Sequence, residues 1–108
     1  MAQNLKGRVA LITGGATGIC RATALAMAGA GADIVIGSLT EAVRLPKIAR
    51  EGHTVVTDTD LEKTKQEIAE FGVRVHAEPL NVAVDTSCDN LVNAAIREFG
   101  QVDILVNG

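Results

Sequence analysis

The 108-residue sequence contains no tyrosine and no tryptophan, and only two phenylalanines. Without a phenol, the chain alone cannot run a reaction that uses tyrosine as its general acid. The scarcity of aromatics also removes the stacking platforms that hold single-stranded nucleic acid. No basic run replaces them, and the formal net charge is -3, so nucleic acid is not expected as a partner. Cysteine is scarce as well: Cys20 and Cys88 stand far apart and form no CxxC pair. With His53 and His76 they show no ligand spacing. The expectation is two reduced thiols in a cytoplasmic protein, and no metal site. Long apolar runs are missing too. The stretch from Val9 to Gly37 contains Arg21 and Asp33 and is broken by glycines, which argues against a membrane span. Met1 to Lys6 lack the apolar stretch of a signal peptide.

What is present fits a globular α/β chain. Hydrophobic residues make up 47% and charged residues 21%, with 11 glycines, a balance unlike that of disordered chains. The length allows one domain, taken as residues 1–108. Val9-Ala10-Leu11-Ile12 is a continuous apolar run bounded by glycines, as suits a strand buried in a parallel sheet. From about Thr17, Ile19, Ala22, Thr23, Leu25, Ala26 and Ala30 recur at helical spacing, and Gly29 and Gly31 supply a stop. Ala32 to Gly37 reads as a second strand. Asp60 is the expected N-cap of a helix with Leu61, Thr64, Ile68 and Phe71 on one face, closed by Gly72. Val73 to Ala77 alternates as a third strand, and Pro79 closes it. Asp85 or Thr86 then caps a helix whose apolar face is Leu91, Val92, Ala95, Ile96 and Phe99, with Gly100 as its end. Val102 to Val106 is a fourth strand. The alternation predicts a three-layer α/β fold, half of a Rossmann-type domain. Its parallel sheet has about four strands in the order 3-2-1-4, with helices on both faces.

Thr13-Gly14-Gly15-Ala16-Thr17-Gly18-Ile19-Cys20 lies between the first strand and the first helix. That is where unpaired N–H groups and the positive end of a helix stabilise a pyrophosphate. Gly14 permits a sharp turn, and Gly18 lets the backbone approach phosphates without a Cβ in the way. No Lys-Ser or Lys-Thr pair follows, so this is not a P-loop. Glycines so placed can also serve only a tight strand-to-helix turn.

The run Leu5 to Gly14 resembles the opening of the short-chain dehydrogenases/reductases. Thr13 to Cys20 is similar to that family's TGxxxGIG cofactor loop, and Leu80-Asn81-Val82 to its Asp-Val pair after the third strand. Gly100 to Asn107 resembles its fourth strand, which leads into Asn-Asn-Ala-Gly. The resemblance implies an NAD(P)-dependent oxidoreductase that passes hydride between nicotinamide and a carbonyl or alcohol substrate. This chain would be its N-terminal cofactor-binding part. The implied cofactor contacts are Thr13, Gly14, Gly15, Thr17, Gly18, Ile19, Ser38, Leu39, Asn81, Val82 and Asn107. The implied Ser and Tyr-x-x-x-Lys catalytic set comes after the fourth strand, so no catalytic residue is carried over.

Several positions depart from the family pattern. Cys20 replaces the third glycine of the loop, and its side chain is expected to crowd the helix–strand contact and weaken cofactor binding. Asn81 replaces the usual acid but still offers a donor and an acceptor. Gly108 follows Asn107 where a second Asn is usual. Residues 41–58 look like an insertion between the second and third strands. A carboxylate at the end of the second strand would favour NAD and repel the extra phosphate of NADP. Ser38 stands there instead, with Thr40 and Arg44 nearby, while Thr17 lacks the basic character common in NADP-preferring members. The balance leans to NADP, with NAD as the other candidate. An apolar fourth strand at a sheet edge also invites pairing with another chain. A non-catalytic dinucleotide-binding or self-associating module is therefore the alternative reading.

Overall fold

The computed structural model describes residues 4–14, 18–38, 58–80 and 85–107. Strand β1 (Val9–Thr13) is buried along all five residues. A strand can be apolar on both faces only where both are covered. It is followed by α1 (Gly18–Gly29), β2 (Asp33–Ser38), α2 (Asp58–Ala69), β3 (Val75–Pro79), α3 (Asp85–Phe99) and β4 (Ile104–Val106). The strands form one parallel sheet in the order β3-β2-β1-β4, as expected. Val9 lies opposite Asp33 on β2, and Ala10 opposite Ile104 on β4.

Alternation along the strands sorts the core into two layers. Ala10, Ile12, Ile34 and Ile36 pack against Ala24 and Ala28 of α1 and against Leu61 and Ile68 of α2. Val9, Leu11 and Val35 turn the other way, to Leu80 and to Leu91 and Ala95 of α3. Helices thus cover both faces. Each fully buried isoleucine contributes about 1.5–3 kcal/mol relative to exposure. Helix α1 ends in a Schellman motif: Ala32 N–H donates to Met27 O and Gly31 N–H to Ala28 O. Gly31 takes the required left-handed conformation at φ 100°. The two cysteines form no disulfide, and they pack on opposite faces of the sheet. No helix among the described residues is long and apolar enough to cross a membrane.

Several element details differ from the sequence expectation. The face of α1 that meets the sheet is Ala24 and Ala28, whereas Ile19 is 85% exposed. On α3, Leu91, Ala94 and Ala95 are buried, but Val92 and Ile96 are about half exposed. Phe71 lies past the end of α2 and is also about half exposed. Helix α2 opens two residues before Asp60, whose backbone carbonyl accepts from Thr64 Oγ1. The expected 41–58 insertion lies outside the described residues, save Asp58, which opens α2. Strand β3 starts at Val75 because Asp33 captures the backbone N–H of Arg74 at 2.9 Å. Its last residue is Pro79, tolerated because β3 is a sheet edge and needs no N–H on its outer side.

Side chains tie the strands together at their amino ends. The Arg74 guanidinium donates to Asp33 Oδ2 at 2.7 and 3.0 Å and stacks over Phe99 at 4.8 Å. Exposed ion pairs of this kind add only about 0.2–1 kcal/mol, so the contact fixes geometry more than stability. Asp103 is the second tie. Its Oδ2 accepts from Val9 N–H at 2.8 Å and from Gln101 Nε2 at 2.6 Å, and its own N–H donates to Val9 O. The carboxylate thus takes a bond that a backbone carbonyl would otherwise receive, and β4 proper begins only at Ile104. The Val9 N–H first, then Gln101 and Arg8, hold the Asp103 carboxyl below its ordinary pKa, against the opposing effect of burial. A depressed native pKa gives stability that is complete above the unfolded-state value, about 3.9, and is lost as pH falls through the native one. Urea unfolding at pH 7 and pH 3 should therefore show a smaller acid-induced loss in Asp103→Asn than in the unsubstituted chain. Equal losses would remove Asp103 from the acid response.

Candidate functional site

Parallel strands place all their carboxyl ends along one edge of the sheet. Strand order reverses at β1, because β2 and β3 lie on one side of it and β4 on the other. In open α/β sheets a crevice forms outside the strand ends at such a reversal. Thr13, Gly14, Gly18, Ile19, Ser38 and Asn107 all stand along this edge. Gly15, Thr17, Leu39, Asn81 and Val82 lie outside the described residues.

Thr13 ends β1 with its side chain nearly buried, its Oγ1 directed at Val106 O on β4 over 3.4 Å. Gly14 follows at φ 72°, and its N–H donates to Gly37 O at 2.6 Å. This bond ties the start of the glycine turn to the end of β2. Gly18 opens α1 at φ 60°, and among the described residues no atom beyond its chain neighbours and its own helix backbone lies within 4 Å of where a Cβ would sit. The open space above Gly18 and the left-handed backbone at both glycines suit close approach of a phosphate. The first turn of α1 carries no acidic residue, so nothing on the helix offsets its positive end. Arg21, the nearest helix cation, is paired with Glu67 of α2. Ile19 projects into solvent, and Asn107 is exposed just past β4. Cys20 is half-buried and packs against the core shared by α1, α2 and the sheet.

Ser38 ends β2 opposite Pro79 and is only 3% exposed. Its carbonyl accepts the N–H of Leu80 at 2.9 Å. The only acid on β2 is Asp33, at the opposite end of the strand. Gly37, at this edge, is read from the sequence only as the end of the second strand, and Leu80 only as the residue before Asn81. The signal was a glycine inside an otherwise β-branched strand, which marks close approach of a neighbour. Among the described residues no group of three His, Cys, Asp or Glu side chains converges as a metal site.

Substituting Gly18 isolates the backbone requirement, because among the described residues a Cβ there meets no neighbour beyond its own helix. Gly18→Ala should lower unfolding free energy by about 1–2 kcal/mol from left-handed strain alone. Equilibrium urea unfolding measures this, and an unchanged midpoint would show that the turn relaxes without cost.

A family model described as short chain dehydrogenase matches residues 46–108. An uncharacterized oxidoreductase of Bacillus subtilis, YhdF, is 39% identical over 103 residues, covering 95% of this chain and 30% of that protein. The crystal structure of a short chain dehydrogenase from Mycobacterium paratuberculosis bound to NAD superposes with a TM-score of 0.82 at 31% identity, covering 94% of this chain and 36% of that one. The structure of an NAD+-bound xylitol dehydrogenase gives a TM-score of 0.75 at 25% identity, covering 94% of this chain and 33% of that one. The chain spans about a third of the length of the curated relatives it matches.

Proposed function

Since the chain belongs to the short-chain dehydrogenase/reductase family, we propose that it is the dinucleotide-binding portion of an NAD(P)-dependent oxidoreductase. The observation that carries this is the turn from Gly14 to Gly18, both in left-handed conformations, at the point where strand order reverses. The α1 N-terminus and the backbone at Gly14 and Gly18 would hold the pyrophosphate. Thr13, Gly15, Thr17 and Ile19 line the same turn in sequence, while Ser38, Leu39, Asn81 and Val82 would meet the adenosine half. Asn107 would stand toward the nicotinamide half, beyond β4. When bound, the nicotinamide exchanges a hydride with a carbonyl or alcohol carbon. These 108 residues include no tyrosine, and no proton step is assigned to them. Their part is to bind and orient the cofactor.

Cofactor choice turns on the end of β2. Ser38 is buried there, so its contribution is the absence of a carboxylate rather than a hydroxyl contact. NADP is then accepted at least as well as NAD, although the two solved relatives described above carry NAD. Thermal unfolding followed by circular dichroism tests both points. A ligand confined to the folded state adds about 2.7 kcal/mol at a hundred times its dissociation constant, which should raise the midpoint by roughly 10 °C or more. The expected result is a rise with both cofactors, no smaller with NADP. A cooperative transition that neither cofactor moves would overturn the binding function, and one moved by NAD alone would overturn the cofactor preference.

A second reading rests on a separate observation. Leu105 on β4 is 61% exposed on the face that α3 covers elsewhere, and Val92 and Ile96 of α3 are about half exposed. Among the described residues β4 pairs only with β1, and no charged side chain guards its three residues. Such an edge pairs readily with another strand. Two copies of this chain would join through β4, with the three apolar side chains buried between them. Sedimentation should show concentration-dependent association that Leu105→Lys abolishes. A monomer at every concentration would defeat this reading.

A further inference from the structure

Gly37 stands at the point where three parts of the carboxyl edge meet. Its carbonyl accepts the N–H of Gly14, the first residue of the glycine turn. The next carbonyl, of Ser38, accepts the N–H of Leu80, the residue that follows β3 and directly precedes Asn81 and Val82. The space where a Gly37 side chain would sit is filled from above. A Cβ built there would lie 2.7 Å from Leu91 Cδ2, 2.9 Å from Leu80 Cβ and 3.0 Å from Leu80 Cδ2. Its φ is not in the left-handed region, so the glycine is needed for space and not for backbone freedom.

The two neighbours differ in how they could yield. Leu91 Cδ2 is the far end of a flexible side chain and can turn aside. Leu80 Cβ is fixed to its own backbone, so relief there requires the Leu80 turn to lift off β2. Both leucines are nearly fully buried, which leaves little room for either movement. Adding one methyl group at Gly37 would therefore displace Leu80, the residue that precedes Asn81 and Val82, while the strand itself stays paired.

We propose that Gly37 is a positioning residue of the dinucleotide site. By lacking a side chain it seats Leu80 on the end of β2, and by its carbonyl it anchors Gly14, so that the residues leading into the glycine motif and into Asn81 and Val82 are held in fixed relation. It touches no cofactor atom in this role. The proposal rests on the dinucleotide reading above.

The test compares the unsubstituted chain with Gly37→Ala and with Gly37→Ala/Leu91→Ala. Amide hydrogen exchange is read at Leu80, Gly14 and Ile36, and NAD affinity by calorimetry at a temperature where circular dichroism shows each protein folded. In Gly37→Ala the Leu80 amide should lose protection by at least tenfold more than Ile36 in mid-strand. The NAD dissociation constant should rise about tenfold or more, in line with an overpacking strain shifted onto the binding turn. Adding Leu91→Ala should leave it raised, because the Leu80 Cβ contact persists. A role in core packing alone gives the opposite pattern: uniform loss of protection, and affinity within twofold of the unsubstituted chain or restored by the second substitution. Either result overturns the proposal. If Gly37→Ala does not fold, Leu80→Ala unseats the same turn without a clash and should raise the dissociation constant likewise; unchanged affinity there also overturns it. If the unsubstituted chain folds but binds no NAD, the functional reading falls, and the exchange pattern at Leu80 still decides whether Gly37 seats the turn.

Discussion

Everything in this structure depends on β1 being covered on both faces and paired on both edges. Its alternate side chains enter opposite cores, with Ala10 and Ile12 toward α1 and α2, and Val9 and Leu11 toward α3. Its two ladders run to β2 and β4. A strand held in this way has no freedom of register, because a one-residue slip would exchange both cores at once. The fixed register delivers Gly14 to one place, beside the end of β2 and facing the start of α1.

The two edges of the sheet do different work. At the amino edge, charged side chains replace missing backbone partners: Asp103 takes Val9 N–H and Asp33 takes Arg74 N–H. These bonds align strand starts with little burial. At the carboxyl edge, backbone makes the joins from Gly14 to Gly37 and from Leu80 to Ser38, and the uncharged Thr13 Oγ1 donates to Val106 O. No described charged side chain enters these two joins, and the positive end of α1 is left uncompensated by any acid in its first turn. An edge tightened by backbone and glycine, with a helix terminus beside it, is suited to an anionic ligand. The division of labour therefore explains why the candidate site lies where it does.

Much of this was legible in the sequence because the signals are local. Continuous β-branched runs marked β1 and β2, and Gly72 and Gly100 stand just past the helices they were expected to end. The strand order followed from the alternation of elements. What escaped depended on which neighbour a side chain meets. In α1 the residues fully buried against the core are Ala24 and Ala28, with Cys20, Leu25 and Met27 partly buried beside them, and Ile19, the largest apolar residue of the first turn, is turned outward. Val92 and Ile96 carry the helical period of α3, yet they are about half exposed, and the buried positions are Leu91, Ala94 and Ala95. Strand β3 sits two residues later than its alternation suggested, since Asp33 claims Arg74 from across the sheet. Gly37 was read as part of a strand, and its importance lies in Leu80 and Leu91, 43 and 54 positions later in the sequence.

The central claim is that the carboxyl edge at β1, and no other surface, receives a dinucleotide. The most direct measurement is amide chemical-shift mapping of the isotope-labelled chain during titration with NAD. The account predicts saturable shifts at Gly14, Gly18, Ile19 and Ser38, with Asp33, Arg74 and Asp103 unmoved at the opposite edge. Shifts clustered at the amino edge, or none at saturating NAD, would contradict it.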